Sequence, residues 1–123
     1  MAQCYHQALG SVPELVLPVV PSFGKPTYQS FMVRVKGISA DQRMEMLTAL
    51  KERGIGATPG VTAIHRQTCY VERMGRISLP NTELATDTTV ILPLFPDMTS
   101  AEQDQVIRAV KDCLVPAQAR RAA

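Results

Sequence analysis

The last capped helix of the chain limits what everything before it can become. In TSAEQDQVIRAVKDCLV, Thr99 and Glu102 have the three-residue spacing of a capping box. Val106, Ile107, Val110, Cys113 and Leu114 then recur at i, i+1, i+4, i+7 and i+8. A helix with one apolar stripe must bury it against a second layer, because helix propensity alone rarely holds such a segment in water. The segment TYQSFMVRVKG supplies that layer. Tyr28, Ser30, Met32, Arg34 and Lys36 alternate with Gln29, Phe31, Val33 and Val35, the period of two that marks a strand.

Between these two signals the punctuation is clear. SADQRMEMLTALKERG predicts a helix opened by a Ser39/Gln42 capping box and closed by Gly54, with Met44, Leu47 and Leu50 beside Met46 as its buried stripe. Residues 2–9 predict a short helix with Tyr5 and Leu9 on one face, ended by Gly10 and lacking an N-cap. Four prolines in residues 11–26 predict an extended connector. GIGATPGVTAIH predicts a short strand and a turn, RQTCYVERMG a helical turn or two, SLPNTELATDTTV a Pro-Asn helix start, and VILPLFP a short buried strand. The expected fold class is α+β: a small two-layer domain, with an about three-stranded, mainly antiparallel sheet and helices packed on one face.

Composition narrows the function classes. The 123 residues make one domain, and 46% hydrophobic with 20% charged residues is an ordinary globular balance. No apolar run approaches the roughly 18 residues of a membrane span, and MAQCYHQALG lacks a signal-peptide layout, so the expected location is cytoplasmic. A net charge of +2, six aromatic residues and no Trp give little for nucleic acid to hold. Cys4, Cys69 and Cys113 form no short pairing pattern and read as free buried thiols of a reducing compartment.

Chemistry-bearing patterns are sparse. His6 and His65 have no cysteine or carboxylate at zinc-ligand spacing, so no metal site is expected. Cys69 follows His65 by four residues and reads as either a packed thiol beside a packed histidine or a nucleophile pair. GIGATPGVT matches neither a P-loop nor a dinucleotide fingerprint. Read locally, Gly54 caps a helix, Gly56 permits a bend and Pro59-Gly60 forms a turn. Lys25, flanked by prolines, reads as a solvated loop lysine rather than a Schiff-base lysine. Asp41, Glu45, Glu102 and Asp104 sit toward helix N-termini, where carboxylates complement the dipole.

Several segments taken together resemble a known family. YQSFMVRVKG, LKERGIGATPGVTAIHRQTCY and LPNTELATDTTVILPLFPDMTSAEQDQVIRAVKDCL are similar, in order and spacing, to the C-terminal part of the DegT/DnrJ/StrS nucleotide-sugar aminotransferases. CYHQAL resembles the end of the helix that joins that family's two domains. The resemblance implies pyridoxal-phosphate enzymes of the aspartate aminotransferase fold type. It also implies that this chain matches the small domain without the large one that holds the cofactor, its lysine and its aspartate. Residues 1–10 then correspond to the end of the interdomain helix, 11–27 to a Pro-rich connector, 28–115 to the small domain and 116–123 to a flexible tail.

The same resemblance places the loop 58–65 on the substrate side. One family pattern has a His-Tyr pair where this chain has Gly60 and Val61. Another, Arg-Pro-Gly-Thr-His-Ala-Val-His, reads here Thr58, Pro59, Gly60, Val61, Thr62, Ala63, Ile64, His65, so the turn and last histidine remain while the arginine and first histidine are replaced. The implied substrate-side candidates are His65, Thr62, Tyr28 and Gly60, with no catalytic, cofactor-binding or metal-binding residue in this chain. The expectation is a domain that contributes to a substrate pocket and dimer contacts and is not catalytic alone. Its partner would be a pyridoxal-phosphate-binding large domain or further copies of itself, with neither nucleic acid nor membrane involved. The alternative is a free-standing small-molecule or protein interaction module.

Overall fold

In the computed structural model, which describes the backbone of residues 1–121 and the side chains of residues 1–114, two helices begin where their caps put them. Helix α1 spans Ala2–Leu9. Helix α2, Ala40–Glu52, opens on a complete capping box: Ser39 N–H donates to Gln42 Oε1 at 2.9 Å, and Gln42 N–H donates to Ser39 Oγ at 3.2 Å. Helix α5, Ser100–Arg121, repeats the device, with Thr99 N–H donating to Glu102 Oε2 at 2.8 Å and Glu102 N–H to Thr99 Oγ1 at 3.2 Å. The tail expected over 116–123 lies outside the residues whose side chains are described.

The remaining elements are strands β1 (Leu15–Val16), β2 (Phe31–Val35), β3 (Thr58–Pro59) and β4 (Thr89–Leu92), with helices α3 (Thr68–Met74) and α4 (Pro80–Thr88) between β3 and β4. The sheet order is β1-β2-β4-β3, and every neighbouring pair is antiparallel. It therefore has four strands, not the three expected. The fourth is β1, inside the segment expected to be only a connector. Leu15 and Val16 are free of proline between Pro13 and Pro18, and they pair with Val35 and Arg34. Both proline-bearing strand regions sit at sheet edges, where a missing N–H removes no ladder bond.

The register decides the two faces. Phe31 faces Leu92 and Val33 faces Val90 across β2 and β4, and all four are buried. Tyr5 and Leu9 of α1, Met46, Leu47 and Leu50 of α2, and Val106, Ile107, Val110 and Leu114 of α5 share their cluster. The intervening pair, Met32 with Ile91, belongs to the opposite face and is only partly covered. Tyr5 ties helix to sheet: its ring lies 4.9 Å from that of Phe31, and its hydroxyl donates to Pro93 O at 2.7 Å.

Two further expectations are corrected. Met44 does not belong to the α2 stripe and is 49% exposed; Arg43 takes the core-facing position with Met46, Leu47 and Leu50. The cysteines are free but not buried, since Cys69 is exposed and Cys4 and Cys113 are half-buried. Cys4 and Cys113 pack against the edge of the core cluster, whereas Cys69 lies on α3, which buries no residue.

Candidate functional site

The glycine-rich loop is built by backbone geometry. Gly54 takes φ +76°, a left-handed conformation that stops α2 at little steric cost. Gly54 N–H donates to Lys51 O and Ile55 N–H to Leu50 O, which turns Ile55 into the core. Thr58 and Pro59 then pair with Ile91 and Val90. Gly60 N–H donates to Thr89 O at 3.1 Å, and Val61 N–H to Thr89 Oγ1 at 3.1 Å. A Cβ at position 60 would collide with Thr89 Oγ1 and Met32 Sδ, so Gly60 is held by close approach. Ala63 is buried while Thr62 and Ile64 point out.

A strap of side chains then fixes the loop's far end. Residues Ile64–Arg66 form a 3-10 turn, and His65 within it is 8% exposed. His65 Nε2 lies 3.1 Å from Glu83 Oε1, which also accepts from Leu79 N–H at 2.9 Å. Arg66 bridges the other oxygen: Nη2 to Glu83 Oε2 is 3.2 Å, and Nη1 to Asp87 Oδ1 is 2.8 Å. The Leu79 N–H, then His65, then Arg66 hold the Glu83 carboxyl below its usual value of 4.5. Arg66 is pushed further toward its charged form, mainly by its bond to Asp87.

Three of the four substrate-side candidates, Gly60, Thr62 and His65, thus share one pinned loop. Tyr28 does not join them. It has φ +48°, which ends the extended run ahead of β2, and its ring stacks on Phe31 and meets His6 edge-on, both at 6.3 Å. His65 and Tyr28 line different concavities, the first with Arg66, Thr68, Arg76 and Ser78, the second with His6, Lys25 and the 15–20 segment. Cys69, the second residue of α3, is exposed, and no hydrogen bond joins it to His65 among the described residues.

Sequence reasoning missed Glu83, Arg66 and Asp87. Glu83 and Asp87 are four apart on α4, but the N-cap there is Leu79, so no capping-box pattern announced the carboxylate. Arg43 was missed as well. It is 8% exposed, and its Nε and Nη1 are sealed from solvent with no partner among the described residues. On α4, against which α2 packs, Thr86 Oγ1 is also sealed and unpaired among the described residues.

Compared with known proteins, the chain matches the DegT/DnrJ/EryC1/StrS aminotransferase family over residues 1–111. Its fold superposes on the aminotransferase TlmJ from Streptoalloteichus hindustanus with a TM-score of 0.82 and 28% identity, covering 95% of this chain and 31% of that one. For DesV of S. venezuelae, solved with a ketimine intermediate, the values are 0.75 and 27%, with coverages of 90% and 29%. Helicobacter pylori PseC, an aminotransferase involved in pseudoaminic acid biosynthesis, shares the fold at a TM-score of 0.82 and 16% identity, over 91% of this chain and 30% of its own. The chain therefore spans less than a third of the length of each solved structure it matches.

Proposed function

Because the chain belongs to the DegT/DnrJ/EryC1/StrS aminotransferase family, we propose that it is the small, substrate-side portion of a pyridoxal-phosphate-dependent sugar aminotransferase and is not a catalyst alone. The observation that carries this reading is the loop 54–66. Its turn is locked onto β4 by Gly60 and Thr89, and its end is locked onto α4 by Glu83, while Thr62 remains exposed. A surface held this firmly by its own domain suits a group that another domain must meet in a fixed place. His65, Thr62 and Gly60 shape that loop; Tyr28 contributes from a second concavity.

The chemistry of amino transfer belongs to the cofactor, which needs a desolvated lysine and a positioned counter-charge. This chain offers no desolvated lysine. Its four lysines, Lys25, Lys36, Lys51 and Lys111, are all exposed, and Lys36 is spent on Pro13 O. Their exposure supports placing the cofactor site on a large domain or another chain. Titrating the purified chain with pyridoxal phosphate tests this. No aldimine absorbance beyond that of free lysine is expected. A saturable band abolished by replacing a single lysine overturns the reading.

A second reading has one observation in its favour. Helix α3 buries no residue, and Ile64, Tyr70, Met74, Ile77, Leu79 and Leu84 stand exposed around it. A free-standing module that binds a protein or its own copies would use such a face. In both readings the protein works in the cytoplasm, where its free thiols persist. No helix among the described residues is long and apolar enough to cross a membrane.

A further inference from the structure

We propose that the concavity beside strand β1 binds an aliphatic carboxylate, with its alkyl chain on Leu17, Val19 and Val20 and its anionic end on Lys25. The proline-rich segment builds this site. Pro18, Pro21 and Pro26 have no N–H to donate and restrict the residues before them, so the chain beyond Val16 leaves the ladder with β2. Gly24 N–H donates instead to Pro21 O at 2.9 Å, closing a turn. Residues 24–26 then line one concavity of about 1000 Å³ with residues 15–20, His6 of α1 and Tyr28. Because prolines fix this wall in the free chain, little ordering is left for a ligand to impose.

Charge and wall chemistry set the ligand class. Two ammonium groups, Lys25 and Lys36, line the concavity, and no carboxylate does among the described residues. Lys36 is already held, its Nζ donating to Pro13 O at 2.7 Å. Lys25 is exposed and makes no ion pair among the described residues, and its flexible stem lets the ammonium follow an anion at the mouth. No arginine lines the site among the described residues, so it has a point charge without the fork that suits phosphate. His6 is wall only: its ring meets Tyr28 and Phe31 edge-on, and its Nε2 is sealed from solvent. Val19 is 88% exposed and Val20 38%, aliphatic surface that an alkyl chain removes from water. His65 does not line this concavity, and the inference does not rest on the aminotransferase reading.

Amide NMR of the full chain, titrated separately with octanoate and with 1-octanol, tests both halves of the site. Octanoate should move the amides of Leu17, Val20 and Lys25 saturably at low salt. Lys25→Met keeps an apolar stem and removes the charge, so its octanoate affinity should fall about fivefold, the loss of one exposed ion pair. The neutral 1-octanol should bind wild type and Lys25→Met alike. Val19→Glu places a like charge on the alkyl wall and should weaken octanoate more than 1-octanol. Lys25 and Val19 are both exposed, so neither variant threatens the fold. No saturable response, or one confined to the exposed apolar side chains of residues 64–84, overturns the site. An octanoate affinity unchanged in Lys25→Met overturns the selection for an anion. Each of these results leaves the family reading untouched.

Discussion

Arg43 and Gly60 show opposite ways in which one residue fits its surroundings. Arg43 is a permanent charge on the buried stripe of α2, with two sealed nitrogens and no partner among the described residues. An unpaired buried donor costs about 1–3 kcal/mol, more when charged. Arg43→Met should therefore raise the urea midpoint of this chain, with an unchanged m-value; a lowered midpoint would show that the guanidinium finds a partner in solution. Gly60 is the reverse case, since the only acceptable side chain there is none. Gly60→Ala should cost about 1–3 kcal/mol, as overpacking does. The nearby Gly56 meets nothing within 4 Å and has no left-handed φ, so Gly56→Ala should range from neutral to about 1 kcal/mol stabilising. Equal effects at 56 and 60 would refute the packing account of the turn. Tyr5 adds an alkaline limit. Burial, with a smaller effect from Cys4, pushes its phenol up to about 12, so its neutral form is favoured in the fold. The stabilisation is complete below the ordinary value of 10 and is lost as pH climbs toward 12, whereas Tyr5→Phe should flatten that decline.

At the scale of elements, the parts legible in the sequence are those with local punctuation. Ser39/Gln42 and Thr99/Glu102 fixed the starts of α2 and α5 because a capping box joins residues three apart, and Gly54 fixed the end of α2 for the same local reason. Thr99→Ala should accordingly cost about 1 kcal/mol. The strand β1 was hidden because its two residues pair with Val35 and Arg34 some twenty positions on, a tertiary choice that overrides the prolines around it. Arg43 was hidden because a charged residue at a core-facing position contradicts the periodic pattern used to find the stripe. The candidate loop was readable as a turn through Pro59-Gly60, but its strap was not, since His65 and Glu83 meet across 18 positions of chain. That strap has its own pH signature. The carboxyl of Glu83 lies below 4.5 in the fold, so its stabilisation is present above that value and disappears as pH falls through the lower, folded one. Acidification should free the Leu79 amide and the 64–66 turn before α2 or α5 melts; simultaneous loss in amide NMR spectra would contradict the strap.

For the whole molecule, one region stands out as uncovered among the described residues. One face of the sheet is filled by α1, α2 and α5, but the 64–84 region adds a helix without a buried residue and a row of exposed apolar side chains. The solved structures it matches are more than three times as long as this chain. A monomeric protein with this much apolar surface in one place is under pressure to associate. Sedimentation velocity over a wide concentration range puts this most directly. The account predicts that the isolated chain self-associates as concentration rises, and that Tyr70→Glu combined with Leu84→Glu restores the monomer. A wild-type chain that stays a single monomeric species at high concentration would contradict it.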